Sequence, residues 1–256
     1  MTVIAVFNQK GGVGKTTATA NLAAAMARNG FDPLVIDLDP QAHLTAMSGL
    51  HPEARRTIYG FFQAQTPLSE LVHRLPNGVN LIPSHMELAR VDMLLTQNRR
   101  DLRRLKKAMA EEMLTDSGTP ILIDCCPMLG VLSLSALIAA DAVLVPVTAE
   151  YLAMNGAHQL DQTLSGLTSQ GLYRPRRTFL NRYQRGHPTS EKVAAELTRR
   201  YGRDFCRTRV FESQSVLEGI GHNQDVFSYA PDSEGAEDFS YLLDELIETG
   251  FIKIAK

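Results

Sequence analysis

Asn8-Gln9-Lys10-Gly11-Gly12-Val13-Gly14-Lys15-Thr16-Thr17 is the stretch from which the rest of the chain is read. An apolar run, Val3 to Phe7, leads into it, and a stretch of small residues rich in alanine, ending at Met26 and Ala27, leads out. The order is strand, glycine loop, helix. Such a loop turns its backbone N–H groups inward and ends at a helix N-terminus, so it attracts phosphate twice over. In this pattern Lys15 reaches the outer phosphates and the Thr16 hydroxyl ligates Mg²⁺. The generic phosphate-loop pattern asks for a further glycine where Gln9 stands, so the generic form fails literally. What stands instead is Lys10-Gly11-Gly12-Val13-Gly14-Lys15-Thr16-Thr17, with a second lysine at the start of the loop. A glycine-rich surface turn is the plain alternative.

Around this loop the chain has 256 residues, enough for one large α/β domain, with two small ones as the alternative. Hydrophobic content is 44% and charged content 21%, ordinary for a soluble globular protein. A formal net charge of −2 excludes neither a nucleic-acid binder nor its absence, so the distribution of charge matters more. The three cysteines, Cys125, Cys126 and Cys206, have no metal-like spacing and make no secreted disulfide framework; a reducing cytoplasm is the expected setting. No apolar run approaches the length of a membrane span, and neither a leader nor a further DNA-binding domain is expected ahead of the loop.

In chain order, residues 15 to 29 read as the first helix, with Ala20, Ala23, Ala24 and Ala27 allowing close packing and Gly30 ending it. Pro33 to Leu38 is a buried strand that delivers Asp37-Leu38-Asp39-Pro40-Gln41 at its carboxyl end. Ligands of open α/β sheets bind outside the carboxyl ends of strands, which brings these carboxylates beside the loop. A helix cap plus a solvated charge is the alternative for the pair. Thr57 to Phe62 and Leu68 to Leu75 read as short amphipathic helices, Pro76-Asn77-Gly78 as a turn, and Val79 to Pro83 as a strand. Met86 to Leu95 and Leu102 to Leu114 read as helices. Arg99, Arg100, Arg103, Arg104, Lys106 and Lys107 form a basic cluster around Asp101, either a binding surface or a solvated face. Pro120 to Asp124 is a strand ending in Asp124-Cys125-Cys126-Pro127; Val131 to Ala140 is a helix and Asp141 to Val147 a strand. A helix then runs to Ser169, and Thr178 to Asn181 is a strand.

Between Arg174 and Arg209 eleven residues are basic, opposed only by Glu191, Glu196 and Asp204. From Val210 onward ten acidic residues face Lys253 and Lys256. A near-neutral chain with a segregated basic segment carries the electrostatic footprint of nucleic-acid binding. Thr189 to Tyr201 reads as a helix with Val193, Leu197 and Tyr201 on one face, so Arg199, Arg200 and Arg203 form an exposed edge, joined by Arg182 and Arg185. Few aromatics interleave and no sequence-reading module is present, so contacts go to phosphates of non-specific DNA and weaken with salt. An arginine-rich surface that binds nothing is the alternative. Ala236 to Thr249 is a terminal amphipathic helix with Phe239, Leu242, Leu243, Leu246 and Ile247 inward.

The octapeptide from Lys10 to Thr17 resembles the deviant Walker A box of the ParA/MinD family of ATPases, and the small ParA (Soj-like) branch above all. Asp37 to Gln41, Asp124 to Pro127, Ala140 to Val147 and Glu150-Tyr151-Leu152-Ala153-Met154-Asn155-Gly156 extend the resemblance over nearly the whole chain. It implies a single P-loop domain over residues 1–256: a mostly parallel twisted sheet with helices on both faces. It implies ATP and Mg²⁺ as cofactors, with Gly11, Gly12, Val13, Gly14, Lys15, Thr16 and Thr17 serving the nucleotide in their own subunit. Lys10 reaches the partner subunit's nucleotide across an ATP-dependent homodimer. Asp39 positions the attacking water, Asp37 holds Mg²⁺ water or the loop itself, Thr16 and Asp124 hold Mg²⁺ and its water shell, and Asn181 contacts adenine. Two departures stand out: Cys126 replaces a usual proline, and a Pro-Arg pair usual near Phe211-Glu212-Ser213 is absent, which puts the adenine contacts in doubt.

The function implied is a partition or positioning ATPase: bound to the nucleoid in its ATP state, stimulated by a ParB-like or cargo-adaptor partner, released on hydrolysis. A MinD-like membrane regulator is the second possibility; it is opposed by the acidic terminal helix with Asp238, Asp244, Glu245 and Glu248, which leaves no membrane partner expected. A metabolic ligase or iron–sulfur reductase on the same fold is the third, the latter resting on Cys126.

Overall fold

The structure, a computed structural model, describes residues 2–91, 102–115, 118, 120–150, 153–169 and 174–253. Its strands are β1 (Val3–Val6), β2 (Leu34–Asp37), β3 (His73–Arg74), β4 (Asn80–Ile82), β5 (Ile121–Asp124), β6 (Ala142–Thr148), β7 (Arg176–Tyr183) and β8 (Phe205–Phe211). They join in one sheet of order β3-β4-β2-β5-β1-β6-β7-β8. Every pairing is parallel except β3 with β4. β1, β2, β5 and β6 are buried at every position, as expected of strands covered on both faces.

The period of two in β1 sorts the core into two layers. Val3, Ala5 and Phe7 face one, Ile4 and Val6 the other. The first layer is closed by α3 (Ile58–Ala64), α4 (Arg104–Glu111), α5 (Val131–Ala139) and α7 (Pro188–Tyr201). The second is closed by α1 (Lys15–Arg28), α9 (Val226–Tyr229) and α10 (Glu234–Glu248). Two short helices, α2 (His43–Met47) and α8 (Gln214–Gly221), flank the carboxyl ends of the strands, and α6 (Ala153–Ser169) follows β6. On α1, Ala18, Ala23, Ala24 and Ala25 are buried, and their small side chains let the helix axis approach the sheet.

Most element positions agree with the expectations to within a few residues; two segments differ. Leu68–Leu71 is a short 3-10 turn and His73–Arg74 is strand, where an amphipathic helix to Leu75 was expected. Pro76 disfavours a helical conformation at Leu75. The chain therefore folds back as a hairpin, with Leu75 N–H donating to Val79 O at 2.8 Å. The segment after β8, to which no helix was assigned from the sequence, carries α8 and α9; Asp225 caps α9 by accepting from the N–H groups of Phe227 and Ser228. The second half of the helix expected over Met86 to Leu95, the cluster members Arg99, Arg100 and Asp101, and Tyr151 and Leu152 lie outside the described residues.

Candidate nucleotide site

β1 ends and the loop begins with Asn8, whose side chain is tied in two directions: Nδ2 donates to Pro146 O at 2.8 Å, and Oδ1 accepts from Lys10 N–H at 3.0 Å. Gly12 and Gly14 lie in the left-handed region, at φ +74° and +84°. At Gly14 a Cβ would also meet Asn181 Nδ2 at 2.1 Å, so glycine is required there on two counts. Gly14 heads α1 and no side chain caps that helix. The first N–H groups of α1 are therefore open to an anion, next to a cavity of about 530 Å³.

That cavity is lined by Gly11, Gly12, Gly14, Lys15, Thr16 and Thr17 from the loop, by Asp39, Gln41 and His43 from the β2–α2 connection, and by Pro127 after β5. Asn181 and Arg182 of β7 and Glu212 after β8 continue the wall. Val13, also expected at the nucleotide, is fully buried and does not line the cavity; its carbonyl accepts from Asn181.

Lys15 is buried; its Nζ donates to Lys10 O at 3.1 Å. Desolvation lowers its pKa, with the Asp124 carboxylate opposing. Thr16 Oγ1 donates to Asp124 Oδ2 at 2.8 Å, while Asp124 Oδ1 is buried with no hydrogen-bond partner among the described residues. Asp37 and Asp124 are register partners on adjacent strands and both are fully buried. Burial pushes Asp37 up to about 7 and Asp124 well above the carboxylate range, the latter raised further by Asp37. A buried, unpartnered carboxylate oxygen beside a threonine hydroxyl, among too few cations, is a donor set suited to Mg²⁺ and its water shell.

Asp37 does not line the cavity, and its hydrogen bonds run to the connection after β2 and not to the phosphate loop. Its Oδ2 accepts from Thr45 N–H at 3.0 Å and Thr45 Oγ1 at 2.7 Å, and its Oδ1 from Asp39 N–H at 3.1 Å. Both oxygens are committed to the connection after β2. Asp39 lines the cavity; its Oδ1 accepts from Gln41 N–H at 2.9 Å, and its Oδ2 has no hydrogen bond among the described residues.

Lys10 Nζ pairs with Glu150 Oε2 of the same chain at 2.7 Å. Asn181 lies at the loop, where its Nδ2 donates to Val13 O at 2.9 Å; it braces the loop as well as lining the cavity. Arg182, grouped by sequence with the outer arginines, instead lines the cavity and pairs with Glu212 at 2.9 Å. It takes a left-handed φ of 54° where β7 and β8 slip register, and this turns it from the regular strand face. Arg185, Arg199, Arg200 and Arg203 are exposed. Arg199 pairs with Glu196, Arg200 with Asp161, and Arg185 stacks on Phe211.

Sequence reasoning missed the apolar wall made by Phe211, Val216, Leu217 and Ile220, and the polar Gln41 and His43. The i, i+1, i+4 spacing of Val216, Leu217 and Ile220 is the signal that marks one face of α8. Cys125 is buried, which pushes its thiol up; Cys126 Sγ lies 3.1 Å from Ser133 Oγ and also contacts Met128 O at 3.5 Å. Among the described residues no group of three or more His, Cys, Asp or Glu is placed to hold a metal ion by itself, and no helix is long and apolar enough to cross a membrane.

A family model described as an AAA domain matches residues 1–174. The chromosome partitioning protein ParA of Caulobacter vibrioides is 33% identical over 252 residues, 96% of this chain and 93% of that protein. The chromosome-partitioning ATPase Soj of Thermus thermophilus is 36% identical over 249 residues, 95% of this chain and 94% of that one. Among solved structures, cobyrinic acid a,c-diamide synthase from Mycobacterium smegmatis, with bound ATP analogue and magnesium, superposes with a TM-score of 0.81 at 28% identity, covering 100% of this chain and 99% of that one.

Proposed function

This chain belongs to the ParA/MinD family of P-loop ATPases, and from that premise we propose that it is a partition or positioning ATPase whose ATP-bound dimer holds non-specific DNA. The carrying observation is the loop itself: two lysines with separate surroundings, Lys15 lining the cavity and Lys10, outside that lining, in a displaceable ion pair. ATP lies over the open N-terminus of α1 with Lys15 at its outer phosphates. Thr16 and the free oxygen of Asp124 would hold Mg²⁺, which would neutralise charge on the phosphate oxygens. Asp39 orients a water toward the terminal phosphorus; the water oxygen bonds to phosphorus as the bond to ADP breaks. Lys10 exchanges Glu150 for the partner subunit's nucleotide, so that ATP and dimer form together.

The dimer displays the basic residues around α7 to the nucleoid in the cytoplasm. A ParB-like or cargo-adaptor protein stimulates hydrolysis and thereby release. Arg185, Arg199, Arg200 and Arg203 are the proposed DNA contacts, together with Lys192; Lys192 and Arg203 carry no ion pair among the described residues. The likeness to the diamide synthase supports a second possibility, an ATP-dependent amide-forming ligase on the same fold.

The test is DNA binding in ADP, ATP and a slowly hydrolysed ATP analogue at several salt concentrations. Partition function requires binding with triphosphate alone, weakening steeply with salt. Binding that ignores the nucleotide refutes the switch. No binding, together with ATP turnover that depends on an added carboxylic acid and an amine donor, favours the ligase.

A further inference from the structure

We propose that Ser84 is a positioning residue for ATP hydrolysis, acting through Asp39; this rests on the hydrolytic role assigned to Asp39 above. β4 ends at Ile82, and Pro83 breaks the ladder because it has no N–H to donate. The chain then turns Ser84 toward the neighbouring strand's connection. Ser84 Oγ donates to Asp39 O at 2.7 Å, and Ser84 N–H donates to Thr45 Oγ1 at 2.8 Å.

With the bonds already described, these contacts close a ring. Ser84 N–H donates to Thr45 Oγ1, which donates to Asp37 Oδ2; Asp37 Oδ1 accepts from Asp39 N–H; Asp39 O accepts from Ser84 Oγ. All four residues are buried, with Ser84 at 1% exposure and Asp39, which faces the cavity, at 8%. Three members, Asp37, Asp39 and Thr45, belong to one continuous segment. Ser84 alone comes from another strand, so it is the member that fixes the Asp39 turn sideways against the sheet.

The turn has its own hydrogen bond, Ala42 N–H to Asp39 O at 2.9 Å, with Pro40 setting its first corner. That bond preserves the turn but does not locate it. Without the Ser84 hydroxyl, Asp39 O remains paired and the fold is kept, while the Asp39 carboxylate loses its lateral register with the phosphate loop. Orientation of an attacking water is sensitive to displacements near 1 Å. Ser84 touches neither cavity nor nucleotide, so its effect appears in turnover and not in binding.

The experiment is steady-state ATP turnover with a fluorescent-ADP binding assay on wild type, Ser84→Ala, Ser84→Thr, Asp39→Ala and the double variant Asp39→Ala/Ser84→Ala. Ser84→Ala is expected to lower kcat by about 10- to 100-fold, with KM and ADP affinity unchanged within about twofold. Ser84→Thr, which keeps the hydroxyl, recovers most of the rate. The double variant turns over no more slowly than Asp39→Ala alone. Full kcat in Ser84→Ala overturns the proposal. So does an equal further loss when Ser84→Ala is added to Asp39→Ala, or a parallel loss of ADP affinity, since each is the mark of general damage. Full turnover in Asp39→Ala alone would sink the hydrolytic role of Asp39, and the role of Ser84 with it.

Discussion

Lys10 and Lys15 share one loop and are held in opposite ways. Lys15 is desolvated, with its ammonium against the loop's own carbonyl, and is ready to exchange that carbonyl for phosphate. Lys10 lies in a half-exposed pair with Glu150, and such pairs contribute only about 0–1 kcal/mol. The two lysines should therefore separate by mutation. Lys10→Ala is expected to bind ATP normally and fail to dimerise with it, as read by light scattering; a normal ATP dimer in that variant refutes the trans role. Glu150→Gln should lower the ATP concentration needed for dimerisation by about twofold to fivefold, the range a surface ion pair allows. An unchanged threshold would show that the pair is no brake. The identities of Lys10, Thr16, Asp39 and Asp124 were legible because an octapeptide and two strand-end carboxylates are local patterns. That Asp37 anchors Thr45 and Asp39 was not legible, since it depends on which donors the fold brings to a buried oxygen.

Among the elements, the edge strand β8 and the helix α10 carry the clearest consequence. An edge strand exposes unpaired N–H groups that invite another strand. Here the N–H groups of Arg207 and Thr208 donate to Glu245 at 2.8 and 2.7 Å, and that of Phe211 donates to Asp238 at 2.8 Å. The acidic helix that weighs against lipid binding thus also guards the sheet. Burial pushes Asp238 up to about 6 against an ordinary 3.8, with the Phe211 bond opposing and Glu234 and Glu237 adding to the rise. Its folded form holds the proton more tightly than the unfolded chain, so the contribution of this group to stability falls as pH rises from about 4 to about 6. Asp238→Asn lacks this dependence. Its stability relative to wild type should rise across that window by on the order of 1–2 kcal/mol in denaturant titrations; a constant difference refutes the assignment. On α7, replacing Arg199, Arg200 and Arg203 together should weaken DNA binding, leave ATP binding intact, and reduce the salt slope by up to about three. An unchanged slope would place the DNA surface elsewhere, the Arg103–Lys107 segment being the next candidate. The spacing that marks α7 and α10 as amphipathic is visible in sequence. The edge position of β8 is not, because strand order follows from packing across the sheet.

At the scale of the whole molecule, the sheet order places β1 between β5 and β6, with β2 beyond β5. The ends of β1, β2 and β5 therefore bring Lys15 and Asp39 to one cavity, and Asp124 beneath it against Thr16, although they are far apart in the chain. The proposed gating of DNA binding by triphosphate belongs to this scale, since it would require two complete subunits and a bound nucleotide at once. The sequence by itself determined the phosphate loop, the carboxylates at the strand ends, the parallel α/β class and the segregated basic segment, because each depends on neighbours along the chain. Only the tertiary structure decided that Arg182 and Glu212 wall the cavity, that Asn181 braces the loop at Val13, that Lys10 is paired at rest, and that Ser84 closes a ring around Asp39. The physical reason is common to all four: each depends on which side chain packing brings within about 3 Å of a given donor or acceptor, and hydrogen bonds at that range are set by the fold across segments that share no sequence pattern.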